Sequence, residues 1–307
     1  MAYACGIDIG GTKIEATVFD ENWQPLHTRR TPTPHDTYEA LIAAVMTQAH
    51  WLEMRVGVDN LPLGIGIPGL HKAASGEAIT ANLPANGRRL RADLMTTIGR
   101  KVTFGNDCDL FTYSEALLGA GKDYDTVFGL ILGTGIGGGI CHGEALFQTV
   151  NGIAGEVGHM TISGVLTKEF NLPILTCGCG RQGCFETLAS GPGMTQLAKL
   201  VMGAPMPAQE IAAQAASGAV GPQRVIEIWL RIVTELIGNL QLTIDPDCIV
   251  LGGGLSNIPN VCNQISEILP GALLQGASKP MVTKAKFGDS SGTRGAALAA
   301  RRKADQR

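Results

Sequence analysis

No run of lysine or arginine in these 307 residues is long enough to build a basic patch, and the formal net charge is −3. Nucleic acid is therefore a poor expectation on electrostatics. No apolar run reaches the ~18 residues that a membrane helix needs. Met1-Ala2-Tyr3-Ala4-Cys5-Gly6 enters strand-like sequence without a charged leader and cleavage site. Low-complexity tracts and solenoid repeats are lacking as well. The expectation is a cytoplasmic protein with no membrane and no nucleic-acid partner. The composition that remains, 45% hydrophobic and 17% charged, is that of a globular protein able to bury a sizeable core. Its length suggests about two domains.

A disulfide framework is also missing. Of the eight cysteines, Cys5, Cys108, Cys141, Cys248 and Cys262 stand singly among apolar or Gly-rich segments. A buried free thiol of this kind behaves as a small hydrophobe. Cys177, Cys179 and Cys184 are different: they fall within eight residues, punctuated by glycines, with His159 eighteen positions upstream. Three thiolates and one imidazole make the closed tetrahedral shell that zinc prefers at structural sites. Two weaker alternatives stand beside it. A redox role for Cys177-x-Cys179 would favour two intervening residues, and His159 could be an unliganded surface or core histidine. Glu156 and Glu186 bracket the four ligands.

Glycine turns organise the rest. A strand over residues 3–9 runs through Asp8-Ile9-Gly10-Gly11-Thr12-Lys13 into a second strand, Ile14 to Phe19, which reads as a hairpin. Glycines at such a turn let the backbone aim N–H groups at an anion. Thr12 adds a hydroxyl, Lys13 a charge, and Asp8 a carboxylate able to hold hydrated Mg²⁺. A plain hairpin with a surface lysine is the alternative. The pattern recurs about 120 residues later: strand Val127 to Leu132 runs into Gly133-Thr134-Gly135-Ile136-Gly137. Two such units suggest a duplicated lobe. Leu63 to Gly69 reads as a buried strand ending in a tight turn, and Asn82 opens a polar loop. Strand Val102 to Phe104 leads to Gly105-Asn106-Asp107, followed by a helix from Leu110 to Ala120. A carboxylate at a strand-to-helix junction sits where α/β folds place their chemistry, although Asp107 could equally cap the helix. Gly252-Gly253-Gly254 follows strand Cys248 to Leu251, after a long amphipathic helix from about Pro222 to Leu242. An Ala-rich helix closes the chain.

These residues carry a resemblance. Asp8-Ile-Gly-Gly-Thr-Lys13 resembles the first phosphate motif of sugar kinases with the actin-like ATPase fold. Gly105-Asn106-Asp107, Gly155-Glu156-x-Gly158-His159 and Cys177-x-Cys179-x4-Cys184 resemble the ROK family in particular, over residues 6 to 297. The resemblance implies an α/β, two-lobed, ribonuclease-H-like fold with a structural zinc loop, and an ATP-dependent transfer of phosphate to a hexose 6-hydroxyl. It implies that Asp107 is the catalytic base. Gly69, Asn82, Asn106, Glu156, His159 and Glu186 would contact the sugar. Asp8, Gly10, Gly11, Thr12 and Lys13, with Gly133, Thr134, Gly135 and Gly137, would surround the phosphates and Mg²⁺, and Gly253 and Gly254 would pass near the adenosine. His159 would bind zinc through one ring nitrogen while the other faces the sugar. Glu186 as an ordinary helix N-terminal carboxylate, and Gly253 and Gly254 as plain turn glycines, remain open alternatives.

Asn82-Leu-Pro84-Ala85, Arg91-Ala-Asp-Leu94 and Gly253-Gly254-Leu255-Ser256-Asn257 are most similar to members that phosphorylate N-acetyl-D-glucosamine. Fructokinases and glucokinases of the family are the alternative, and a non-catalytic sugar sensor a distant one. No room for a helix-turn-helix precedes the motif at residue 8, so a repressor is not expected. The lobes are expected at 1–118 plus 296–307 and at 119–295, with ATP and sugar in the cleft between them. Relatives of this type commonly pair, which implies a homodimer.

Overall fold

The computed structural model describes residues 3–57, 61–80, 82–147 and 149–305; the start Met1-Ala2 and the Asp289 side chain lie outside that description. The strands are β1 (Ala4–Ile9), β2 (Lys13–Phe19), β3 (Pro25–Pro32), β4 (Leu63–Ile67), β5 (Leu70–His71), β6 (Ala78–Ile79), β7 (Thr103–Asn106), β8 (Thr126–Leu132), β9 (Ile136–His142), β10 (Ala145–Leu146), β11 (Cys248–Gly252) and β12 (Met281–Lys284). The helices are α1 (Tyr38–Val56), α2 (Leu90–Ile98), α3 (Asp107–Leu117), α4 (Gly164–Glu169), α5 (Glu186–Ala189), α6 (Gly191–Met202), α7 (Ala208–Ala216), α8 (Val220–Thr243), α9 (Val261–Ile268) and α10 (Ser291–Asp305). Two compact units result, one of residues 1–119, 144–154 and 289–307, the other of 120–143 and 155–288. They differ from the boundaries expected on sequence by residue 119, the 144–154 segment and residues 289–295.

The first unit carries a five-stranded sheet in the order β3-β2-β1-β4-β7. β1 and β2 are antiparallel, with Ile9 opposite Ile14 at the turn, while β1, β4 and β7 are parallel. In the second unit β9, β8, β11 and β12 lie side by side in that order, with β8–β9 antiparallel and β8–β11–β12 parallel. The topology is the same twice over, as the repeated strand–glycine-turn–strand pattern implied. Central strands of such sheets are covered on both faces, so they read as continuous apolar runs. β8 (TVFGLIL) and β11 (CIVLG) are of that kind.

The 24-residue α8 holds the second unit together. Val225, Trp229, Ile232, Val233, Leu236 and Ile237 are all fully buried along one broad stripe. Each is worth about 2 kcal/mol of burial. The Trp229 indole also donates to the Ala189 carbonyl at 2.8 Å, so its polar atom is satisfied in the core. The first unit uses α1 on one side, through Leu41, Val45 and Leu52, and α10 on the other.

Contact between α10 and the sheet is made backbone to backbone. A Cβ placed on Gly6 would lie 1.8 Å from the Thr293 carbonyl oxygen, and one on Gly64 would lie 1.9 Å from that of Ala296. No side chain fits there without displacing the helix. Gly6→Ala or Gly64→Ala is expected to cost about 3 kcal/mol of unfolding free energy in urea. A loss below about 1 kcal/mol would mean that α10 shifts freely.

Candidate active site

In the first unit the predicted residues gather at the carboxyl ends of the parallel strands, where α/β sheets bind ligands. Register places Asp8 of β1 beside Gly66 of β4, and Ile67 of β4 beside Asn106 of β7. The Gly10–Lys13 turn is closed by the Gly10 N–H donating to the Lys13 carbonyl at 2.9 Å. The Thr33 hydroxyl donates to the Gly10 carbonyl at 2.7 Å, which ties the turn to the residue just after β3. Thr12 is exposed and Lys13 half-buried. Asn82 lies against Gly11, its Cβ 3.2 Å from where a Gly11 Cβ would stand. Two glycines that sequence reasoning did not single out flank the Asp8 carboxylate. A Cβ on Gly66 would come within 2.8 Å of Oδ1, and one on Gly292 within 2.7 Å of Oδ2.

The helix after β7 begins at Asp107, three residues earlier than expected, and Asn106 is the reason. The Asn106 Oδ1 accepts from the N–H groups of Cys108 at 2.8 Å and Asp109 at 3.2 Å, making Asn106 the N-cap of α3. Its Nδ2 donates to the Gly69 carbonyl at 3.1 Å, which fixes that turn as well. Asp107 is therefore not the cap. Its carboxyl sits in the first turn of α3, where burial pushes its pKa above the ordinary 3.8, opposed by hydrogen bonds from Cys108, its own N–H and Asn106. Desolvation outweighs those bonds, so this is a carboxylate tuned toward proton acceptance.

In the second unit Glu156 caps, and His159 ends, a single 3₁₀ turn, Val157–His159. Residues three apart eclipse on such a turn, and the Glu156 Oε2 lies 3.6 Å from the His159 Nε2. Gly155 and Gly158 make the close approach to β9: added Cβ atoms would lie 2.0 Å from the Gly138 oxygen and 2.3 Å from that of Ile136. The other ring nitrogen, Nδ1, lies 3.6 Å from the Cys177 Sγ, and the Sγ atoms of Cys179 and Cys184 are 3.8 Å apart. All four ligand atoms fall within 4.8 Å of one another.

Tetrahedral zinc, with Zn–S of about 2.3 Å and Zn–N of about 2.1 Å, would set neighbouring donors about 3.6 to 3.8 Å apart. The donor set fits the metal. Burial pushes the Cys184 thiol up to about 12 and also raises Cys177, whereas the Arg181 backbone N–H lowers Cys179. A dication is what would hold the buried pair as thiolates. The knot is pinned by the Cys177 N–H to the Arg181 carbonyl at 2.7 Å and the Ile162 N–H to the Gly183 carbonyl at 2.9 Å. Glu235 of α8 was not foreseen; its two oxygens accept from the Ser163 N–H and hydroxyl, anchoring the chain just past His159.

Glu186 is the first residue of α5. Its Oε2 accepts from the Ile136 N–H at 2.9 Å, and its Oε1 lies 3.8 Å from the Cys177 Sγ. The Gly133–Gly135 turn is closed by the Gly133 N–H to the Gly135 carbonyl at 3.0 Å. Gly137 continues into β9, opposite Ile131. Beside the turn lies a cavity of about 620 Å³, lined among others by Gly133, Thr134, Pro192, Gly254, Leu255 and Asn257. Gly253 crosses under Leu132 at a φ of 78°, with no room for a Cβ.

The chain matches the ROK family over residues 4–303. It belongs to that family. A relative named N-acetyl-D-glucosamine kinase from Escherichia coli O157:H7 is 39% identical over 296 residues, 95% of this chain and 97% of the relative. One of the same name from Yersinia pseudotuberculosis is equally similar. Among solved structures, a ROK hexokinase from Thermus thermophilus superposes with a TM-score of 0.87 at 30% identity, covering 99% of this chain and all of that one. A ROK glucokinase from Streptomyces griseus, in complex with glucose and AMPPNP, gives 0.81 at 28% identity, covering 98% and 99%. The fold of this ROK chain is thus the α/β, actin-like ATPase type expected. No helix among its described residues is long and apolar enough to cross a membrane.

Proposed function

We propose that this protein transfers the γ-phosphoryl group of ATP to the 6-hydroxyl of N-acetyl-D-glucosamine, giving N-acetyl-D-glucosamine 6-phosphate and ADP. Near-full-length similarity at 39% identity to kinases of that sugar supports the substrate. The observation that carries the chemistry is the placement of Asp107 at the β7–α3 junction, where Asn106 takes the capping role and leaves this carboxylate out of it; burial raises its pKa. It takes the proton of the attacking hydroxyl as the oxygen adds to phosphorus and ADP leaves. Asp8 would hold hydrated Mg²⁺, which would offset phosphate charge; the Gly10–Lys13 turn and, in the other unit, the Gly133–Gly135 turn are each proposed to present N–H groups to phosphate. Gly254 and the cavity beside it receive the nucleoside. Glu156 and His159 of the second unit, and Asn82, Gly69 and Asn106 of the first, are the residues proposed to sort the sugar's hydroxyls. Zinc, where bound, supplies rigidity and no chemistry, because its four protein ligands close the shell. Pairing of two copies and residence in the cytoplasm belong to the same reading; light scattering tests the first.

The substrate is tested by coupled ADP release over a panel of N-acetyl-D-glucosamine, N-acetyl-D-mannosamine, glucose and fructose. A site shaped to an acetamido group is expected to favour N-acetyl-D-glucosamine by at least about tenfold in kcat/KM. Preference for glucose, which the hexokinase and glucokinase structures favour as the second reading, or for fructose, would overturn the assignment.

A further inference from the structure

Glu186 joins two parts of the second unit that lie 50 residues apart in the chain. One carboxylate oxygen takes the N–H of Ile136, the first residue of β9. The other faces the sulfur of Cys177, one of the four metal donors. The residue's place in the chain is fixed as well. Its backbone is held on either side by the Phe185 N–H to the Met160 carbonyl at 2.9 Å and the Thr187 N–H to the Cys184 carbonyl at 3.0 Å. The turn lies close against it: a Cβ on Gly135 would lie 2.7 Å from the accepting oxygen and would displace the carboxylate. The Gly191 N–H, donating to the Gly133 carbonyl at 2.8 Å, supports the same turn from α6. Family resemblance gives Glu186 a sugar contact, but the bond to Ile136 concerns the phosphate side.

We infer that Glu186 is a positioning residue through which the metal knot sets the conformation of the Gly133–Gly135 turn, and so the affinity for the phosphates of the nucleotide. The inference rests on the kinase reading above. Phosphate binding by backbone N–H groups depends on their being aimed in advance. A partly buried N–H without its acceptor lets the start of β9, and the turn before it, relax to find another.

The test titrates Mg·ADP calorimetrically, without sugar, into wild type, Glu186→Gln and Glu186→Ala, each with its zinc content measured. Glu186→Ala is expected to bind ADP about tenfold more weakly. Glu186→Gln keeps an oxygen for Ile136 and is expected to stay within about twofold of wild type, although its turnover falls. If Glu186 served the sugar alone, ADP affinity would be unchanged in both variants, and the inference would be overturned. Equal weakening of both would overturn it too, because the acceptor would not be the determinant. Should Glu186→Ala fail to hold zinc, wild type stripped of zinc decides: its ADP affinity is expected to fall by a similar factor, and an unchanged value refutes the coupling. Wild type that shows this Glu186 dependence but phosphorylates no sugar upholds the coupling and sinks only the substrate assignment.

Discussion

Asp107→Asn is expected to lower kcat by between about 10² and 10⁴-fold, the usual weight of a general base, while sugar affinity stays within a few-fold of wild type. The same substitution is expected to leave Tm unchanged or raise it. Burial raises the pKa of this carboxyl in the folded protein, so the fold favours the protonated form. Any stability Asp107 contributes is fully present below its unfolded pKa and is lost as pH rises through the raised folded value. At neutral pH its charge is therefore a cost, and the uncharged amide removes that cost. Activity has the opposite dependence, since a base must be ionised. In wild type kcat/KM should fall as pH drops through a value above the ordinary carboxylate range. Opposite movements of rate and stability would be the signature of a group kept for chemistry. Turnover of Asp107→Asn near the wild-type rate would remove it from the role of base.

Removing the metal should have the other large effect. Chelation, or Cys184→Ser, is expected to lower the Tm of unfolding by on the order of 10 °C and to weaken sugar binding at least about tenfold. Both follow from one ring: His159 meets the Cys177 sulfur through Nδ1 and the Glu156 carboxylate through Nε2. The ligand that holds the metal also orients the acceptor that is proposed to meet the sugar. Cys184 is fully buried and pairs with Thr161 in an isolated bridge, so its loss opens the knot from within. Calorimetric unfolding and sugar titration on the same samples check both halves. A protein that lost stability on chelation but held its sugar as before would show the knot to be a distant brace.

What was legible in the chain was local. The two glycine turns, the cysteine spacing, the Glu-x-x-His pair and the carboxylate after β7 each lie within a dozen residues, and each forms the local structure its pattern implies. Asn106, to which the resemblance gives a sugar contact, also caps α3 and holds Gly69; a side chain that serves the backbone looks the same in sequence as one that serves a ligand. The long-range partners were invisible for a plain reason. Ser163 meets Glu235 across 72 residues and Ile136 meets Glu186 across 50, and no periodicity records such pairings. Edge strands β3 and β12 were also missed: exposed residues break the apolar run that marks a central strand.

The close packing of α10 on Gly6 and Gly64 also has a consequence in time. The first unit is built of residues 1–119, the 144–154 segment and residues 289–307, which carry α10. During synthesis at about 5 to 20 residues per second, those opening residues wait roughly 10 to 40 s for the helix that covers one face of their sheet. The second unit, almost contiguous in the chain, completes its own core first. On the ribosome the sheet of the first unit is therefore bare on one face until α10 emerges, and a chain truncated before α10 is expected to leave it so.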